Sequence, residues 1–218
     1  MIHPDTELQW ISETKGFGLF ARKRIPVGTI TYIQDPLDLV ISVFDPLLND
    51  ERYTDIIDKY SFFDSFGNAI ISWDNAKYMN HCCFANTLTT GYGFEIAVRN
   101  IEAGEEITDD YGIFTVAHNL EMECSEGRGK CRRRLDIGDF DELCPMWDAE
   151  VKDALSHFRG VQQPLAKFMN SQIKQKLDTY LDFGVGYLSV ALQKPDVNLV
   201  ARELGGLFQF EKKIARAL

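Results

Sequence analysis

Two patterns of apolar residues divide this chain. Over its first half, brief β-branched or aromatic runs such as Thr29–Ile33, Leu39–Phe44, Ala69–Trp73 and Phe94–Val98 are bounded by Gly, Pro, Asn or Asp, which predicts short strands joined by tight turns. Between Asp45 and Gly67 the pattern shifts. Leu47, Leu48, Tyr53, Ile56, Ile57 and Tyr60 fall near helical spacing, and a helical insert is expected there. Beyond Gly138 the strand signals stop. Trp147, Val151, Leu155 and Phe158, then Leu165, Phe168, Met169, Ile173, Leu177 and Leu181, recur at three- and four-residue intervals. Pro164 and Gly184-Val185-Gly186 break this part into pieces, and Leu199 to Leu218 supplies a further helix interrupted at Gly205-Gly206. The predicted class is mainly β, or α+β: several small β-sheets with a helical insert at residues 1–136, then an α-helical C-terminal extension at 137–218.

Composition narrows the classes. At 218 residues with 45% hydrophobic and 26% charged positions, the chain can bury a core and hold one generous domain or a domain with an appendage. No apolar run approaches the roughly 18 residues of a spanning helix. Met1-Ile2-His3-Pro4-Asp5 has neither the basic nor the apolar region of a secretion signal. An intracellular protein, cytoplasmic or nuclear and without a membrane partner, is expected. The net charge is −10, with 22 Asp+Glu against 13 Lys+Arg in residues 1–138 and 11 against 10 in 139–218. Such a front half repels phosphate, which argues against direct nucleic acid binding, and suits a cationic partner such as a lysine-containing basic segment. The same acidity also serves solubility alone. Five cysteines, an odd number, point to thiols or metal ligands rather than a disulfide framework.

Three blocks carry chemistry. Lys15-Gly16-Phe17-Gly18-Leu19-Phe20-Ala21 continues to Ile25-Pro26-Val27-Gly28; Tyr78-Met79-Asn80-His81-Cys82-Cys83-Phe84-Ala85-Asn86 follows; and Arg99-Asn100-Ile101-Glu102-Ala103-Gly104-Glu105-Glu106-Ile107 leads to Asp109-Asp110-Tyr111-Gly112. Taken singly, a Gly-x-Gly is a turn signal and an Asp-Tyr-Gly a strand end. Together and in this order they resemble the signature blocks of SET-domain protein-lysine methyltransferases.

That resemblance implies a SET fold and methyl transfer from S-adenosylmethionine to the side-chain amine of a protein lysine. It implies cofactor binding by Lys15, Gly16, Phe17, Gly18, Tyr78, Asn80 and His81. Tyr111 would be catalytic, because a phenol orients an amine without titrating near neutrality. Asp109 would line the lysine channel with Tyr111, at a position where the family usually carries Phe or Tyr; a carboxylate there would hold an ammonium or enlarge the channel. Cys82 and Ala85 also depart from the family's Asn-His-Ser-Cys-x-Pro-Asn. Members with a cysteine-rich tail bind zinc, which here implies Cys83, Cys124, Glu126 and Cys131, with Glu126 in place of a cysteine and Cys144 as a rival ligand. The alternative is a degenerate tail of thiols. The departures also leave open a SET-shaped interaction module that no longer methylates, or an enzyme for a small amine. No family resemblance extends to the helical extension. Packing on the front module is expected of it, and docking of a substrate or homo-oligomerisation are its other uses. The aromatic residues Phe62, Phe63, Phe66, Trp73 and Tyr78 are expected mostly in the core.

Overall fold

The computed structural model describes residues 1–114, 120–121, 131–132, 134–135 and 138–194. The chain opens with a hairpin, β1 Thr6–Ser12 and β2 Gly16–Ala21, and continues through β3 Ile30–Ile33 and β4 Leu39–Ile41 to helix α1, Thr54–Tyr60. Strands β5 Ser61–Phe63, β6 Ala69–Ile71, β7 Asn80–His81, β8 Thr87–Thr89, β9 Phe94–Ala97 and β10 Glu106–Asp109 follow. The pair β11 Leu120–Glu121 and β12 Arg134–Leu135 precedes helices α2, Asp139–His157, and α3, Ser171–Phe183. The strands form small sheets ordered β1-β2-β10-β7, β3-β9-β8, β4-β6-β5 and β11-β12. The fold is therefore mainly β with helices, as expected. The proposed tail helix at 199–218 lies outside the described residues.

Local differences from the sequence reading have physical causes. Strand β4 stops at Ile41 because Ser42 starts a turn, its carbonyl accepting Asp45 N–H at 2.8 Å. The insert condenses to α1 and a 3-10 turn at Pro46–Asn49 capped by the Asp45 carboxylate. Helix α2 begins eight residues before Trp147: Asp139, Asp141 and Glu142 in its first turn suit the positive end of the helix dipole. It runs through Pro145, whose missing N–H and ring cost about 3 kcal/mol in a helix interior. Burial of Phe140, Trp147, Val151, Ala154 and Leu155 on one stripe offsets that loss, at roughly 1.5–3 kcal/mol for each large side chain. Of the aromatic residues expected inside, Phe66 and Trp73 are about half exposed, the latter with its indole N–H on Asp35 at 3.1 Å.

Strand β9 pairs with β3 and β8, and this sheet is buried on both faces. Alternation sorts its side chains. Ile30, Ile33, Leu88, Phe94 and Ile96 join Phe140, Trp147, Val151 and Leu155 of α2 in one cluster. Tyr32 and Ala97 join Leu19, Met79, Ile101 and Ile107 in another. Polar side chains fasten the extension along the first face. Gln163 accepts Ile30 N–H at 2.9 Å and donates to Gly28 O at 2.7 Å, while Gln193 donates to Thr90 O at 2.7 Å. The Asp148 carboxylate accepts Tyr187 O–H at 2.8 Å, Ser189 O–H at 2.6 Å and Val190 N–H at 2.8 Å. Among the described residues no helix is long and apolar enough to cross a membrane.

The backbone after α3 presses so closely on the β8–β9 turn that a Cβ on Gly91 would lie 2.4 Å from Ser189 O and 2.5 Å from Leu188 O. Because both obstacles are main chain, relief requires the extension to lift. Gly91→Ala is expected to cost about 2–3 kcal/mol, the scale of overpacking, and to lower the melting temperature by several degrees in a calorimetric scan.

Candidate active site

Strand β10 brings the three sequence blocks together. It pairs antiparallel with β2, Glu106 opposite Phe20 and Ile107 opposite Leu19, and parallel with β7, Thr108 opposite Asn80 and Asp109 opposite His81. Buried Asn86 pins it: its amide donates to Glu106 O at 2.7 Å and its side-chain oxygen accepts Thr108 N–H at 2.9 Å. Asn80 donates to Phe17 O at 3.1 Å and to Glu106 Oε1 at 2.8 Å, so the glycine block and β7 are joined through β10. A Cβ at Gly18 would fall 2.5 Å from Ile11 Cδ1, 2.7 Å from Glu106 Oε1 and 3.0 Å from Asn80 Nδ2, so a larger residue would displace the side chains that meet at this crossing. The Lys15 ammonium lies 3.8 Å from Glu106 Oε2, buried and with no hydrogen-bond partner among the described residues. Around it, the Phe17 ring meets Trp10 at 5.2 Å and Tyr78 at 5.8 Å, and Tyr78 meets Tyr60 at 5.6 Å, all edge-on. A buried ammonium with no hydrogen-bond acceptor among the described residues, beside an aromatic rim in which Trp10 and Phe17 are exposed, fits an amino-acid-bearing nucleoside such as S-adenosylmethionine.

His81 and Tyr111 form the far side. His81 Nδ1 accepts Tyr111 N–H at 3.2 Å, which leaves the proton on Nε2, 3.3 Å from Cys83 Sγ. Burial lowers the His81 pKa more than the Asp110 charge raises it. The 3.8 Å approach of His81 Nδ1 to Asp110 Oδ1 is therefore a contact of a neutral ring, not an ion pair. The Tyr111 hydroxyl donates to Met79 O, and its ring sits 5.6 Å from that of His81. Burial, then the charges of Asp109, Glu95 and Glu106, push the phenol's pKa up, so it stays an O–H donor throughout the physiological range.

Asp109 is 2% exposed. Its carboxylate accepts Thr89 O–H at 3.2 Å and Asp110 N–H at 2.8 Å. Burial, then the Asp110 charge, raises its pKa from 3.8 to about 7. Glu95 lies opposite Thr89, and Thr87 donates to it at 3.4 Å. Its carboxyl is raised well above the usual range by burial and then by Asp109.

A family model described as SET domain matches residues 16–112. Residues 16–112 form a SET domain. No curated protein sequence matches it. Among solved structures it is similar to the "crystal structure of KRYPTONITE in complex with mCHG DNA and SAH", with 22% identity and a TM-score of 0.38, over 57% of this chain and 27% of that one. The chain thus spans about a quarter of the length of that protein.

The cysteines are only partly gathered. Cys83 Sγ and Cys131 Sγ lie 3.8 Å apart, the separation of about 3.8 Å that two thiolates 2.3 Å from one tetrahedral zinc would show. Burial raises the Cys83 thiol's pKa, while Arg132 N–H, 3.4 Å from its sulfur, favours the thiolate. Cys124 and Glu126 lie outside the described residues. Cys144, on α2, packs in the extension's cluster beside Ser189 and Asp148. It does not join Cys83 and Cys131, since no group of three or more candidate ligands converges among the described residues. Cys144 is thus withdrawn as a rival ligand.

Sequence reasoning assigned no role to Glu106, Glu95 or Asp110. Glu106 had a signal, since it stands at the inward register of a block already singled out. Glu95 had a fainter one, a carboxylate between Phe94 and Ile96 in an otherwise apolar strand.

A pH dependence follows from Asp109. Between pH 4 and 7 the unfolded chain has released the proton that the folded one retains, so stability present at low pH is lost as pH rises through about 7. Asp109→Asn keeps the acceptor for Asp110 N–H and removes the charge. It is expected to melt several degrees above the parent at pH 8, with the gap closing toward pH 4 in parallel thermal scans.

Proposed function

We propose that this chain transfers a methyl group from S-adenosylmethionine to the side-chain amine of a lysine in a protein substrate. The observation that carries this reading is the junction of Gly18, Asn80 and Tyr111 through strand β10, on residues that match the family's motif. Lys15, Gly16, Phe17, Gly18, Tyr78, Asn80 and His81 would hold the cofactor, which when bound supplies a methyl group on a positively charged sulfur. The chain's own task is then alignment and exclusion of water. His81 fixes the Tyr111 main chain, Met79 O fixes its hydroxyl, and the raised phenol pKa keeps that hydroxyl a hydrogen-bonding group rather than a base. A lysine amine, with a free pKa of about 10.4, must arrive unprotonated, and burial beside Tyr111 favours its neutral form. The acidic front half suits a basic, lysine-containing protein segment and an intracellular setting.

The test combines a labelled methyl donor with a cell lysate. Label is expected on lysate proteins with the parent chain and about 100-fold less with Tyr111→Phe, a loss of the size that misalignment produces. Cofactor affinity by calorimetry should be nearly unchanged in that variant. An unmodified chain that fails to bind S-adenosylmethionine would refute the reading and favour a SET-shaped interaction module.

Zinc is the second part of the reading. The spacing of Cys83 and Cys131 supports it, with Cys124 and Glu126 supplying the remaining ligands. Elemental analysis of purified protein should find stoichiometric zinc, lost in Cys83→Ser. Metal-free protein of full stability would rule zinc out.

A further inference from the structure

Asp110 stands one residue before Tyr111 and is 1% exposed. Its carboxylate collects donors from three places. Oδ1 accepts Gly112 N–H at 3.0 Å, which caps the 3-10 turn Tyr111–Ile113, and also takes the Arg132 guanidinium. Oδ2 accepts the Trp147 indole N–H at 3.1 Å. Trp147 belongs to α2, is 1% exposed, and shares a cluster with Ile113 at the end of that turn. The match to the SET family ends at Gly112, so this contact reaches the tyrosine's turn from a part of the chain that the match does not cover.

We infer that Trp147 is a positioning residue for Tyr111, acting through the Asp110 carboxylate, so that the helical extension sets the aim of the phenol. This rests on the reading of Tyr111 as the methyl-transfer tyrosine. The indole is the hydrogen-bond donor recorded on Oδ2, and a buried carboxylate oxygen that loses a donor turns toward those that remain. The carboxylate cannot rotate alone, because its other oxygen caps the turn that Tyr111 begins. Movement of Asp110 is therefore movement of Tyr111. Gly18, Asn80 and Lys15 are fastened through Glu106 instead, so of the proposed cofactor residues only His81, which accepts Tyr111 N–H, adjoins this turn.

Trp147→Phe keeps the ring in the cluster and removes the N–H. It is expected to lower kcat about tenfold while leaving the KM and calorimetric Kd for S-adenosylmethionine within about twofold, a split that marks loss of alignment rather than binding. Leu155→Ala, a core truncation on the same helix without contact to Asp110, should lower the melting temperature at least as much with kcat unchanged when assayed below both transitions. In protein labelled at tyrosine Cζ, the Tyr111 carbon resonance, assigned by its loss in Tyr111→Phe, should shift or broaden in Trp147→Phe while that of Tyr32 stays in place. If Trp147→Phe does not fold, Asp110→Asn tests the same link from the acceptor side. An unmoved Tyr111 resonance, unaltered kcat, or an equal loss of kcat in Leu155→Ala would overturn the inference. A parent chain without methyl transfer would refute the proposed function alone, since the resonance still decides whether Trp147 governs Tyr111.

Discussion

The β3–β9–β8 sheet is buried on both faces, and everything else in the molecule answers to that. Three short strands cannot cover themselves, and each face presents large aliphatic or aromatic side chains that need a partner layer. Helix α2 supplies one layer, and the sheet that contains β2, β10 and β7 supplies the other. The candidate active site lies in that second layer, so the helical extension and the site are the two coverings of one sheet. Residues 30 and 96 face the helix, while 32 and 97 face the site: the pleat turns the adjacent 96 and 97 to opposite faces, and a register shift between Ile30 and Tyr32 does the same for that pair.

The site side of this sheet is also where the chain departs from an ordinary core. Glu95, Asp109 and Asp110 are all buried, the two aspartates directly before Tyr111 and Glu95 near enough for its charge to bear on the phenol. They are tolerated in different ways. Asp110 is supplied with donors by Arg132, Trp147 and a main-chain N–H. Glu95 and Asp109, with threonine hydroxyls as partners, are pushed toward their neutral forms. Of the three, Asp110 is the one with a guanidinium beside it.

Much of the fold was legible from residue spacing. The β-rich front, the insert and the helical extension all follow from where the apolar period is two and where it is three to four. The β1–β2 hairpin escaped, because Thr6–Ser12 is mostly exposed or half-buried and has little apolar alternation to read. The apolar period of the extension became readable only from Trp147, because the first turn of α2 is acidic and Pro145 follows in the next, features that resemble a loop until the dipole and the buried stripe are seen. At the site, Gly18, Asn80 and Tyr111 were visible only through the family resemblance of three blocks in order, since each alone also suits a turn, a core pair or a strand end. The Trp147 contact was not, since a tryptophan on an apolar helical stripe looks like core whether or not its N–H has an acceptor.

The order of pairing has a consequence for how the molecule comes into being. Strand β10 lies between β2 and β7, yet follows both in the chain, and its partners are separated from it by about ninety and twenty-five residues. A slot must therefore stay open until late-synthesised residues enter it, and closing such distant pairs is slow compared with local helix formation. A nascent or partly melted chain would carry its glycine block and its Asn-His pair with nothing between them. The three blocks meet only after β10 has slid between its neighbours, so the molecule assembles its candidate site in the same event that closes this sheet.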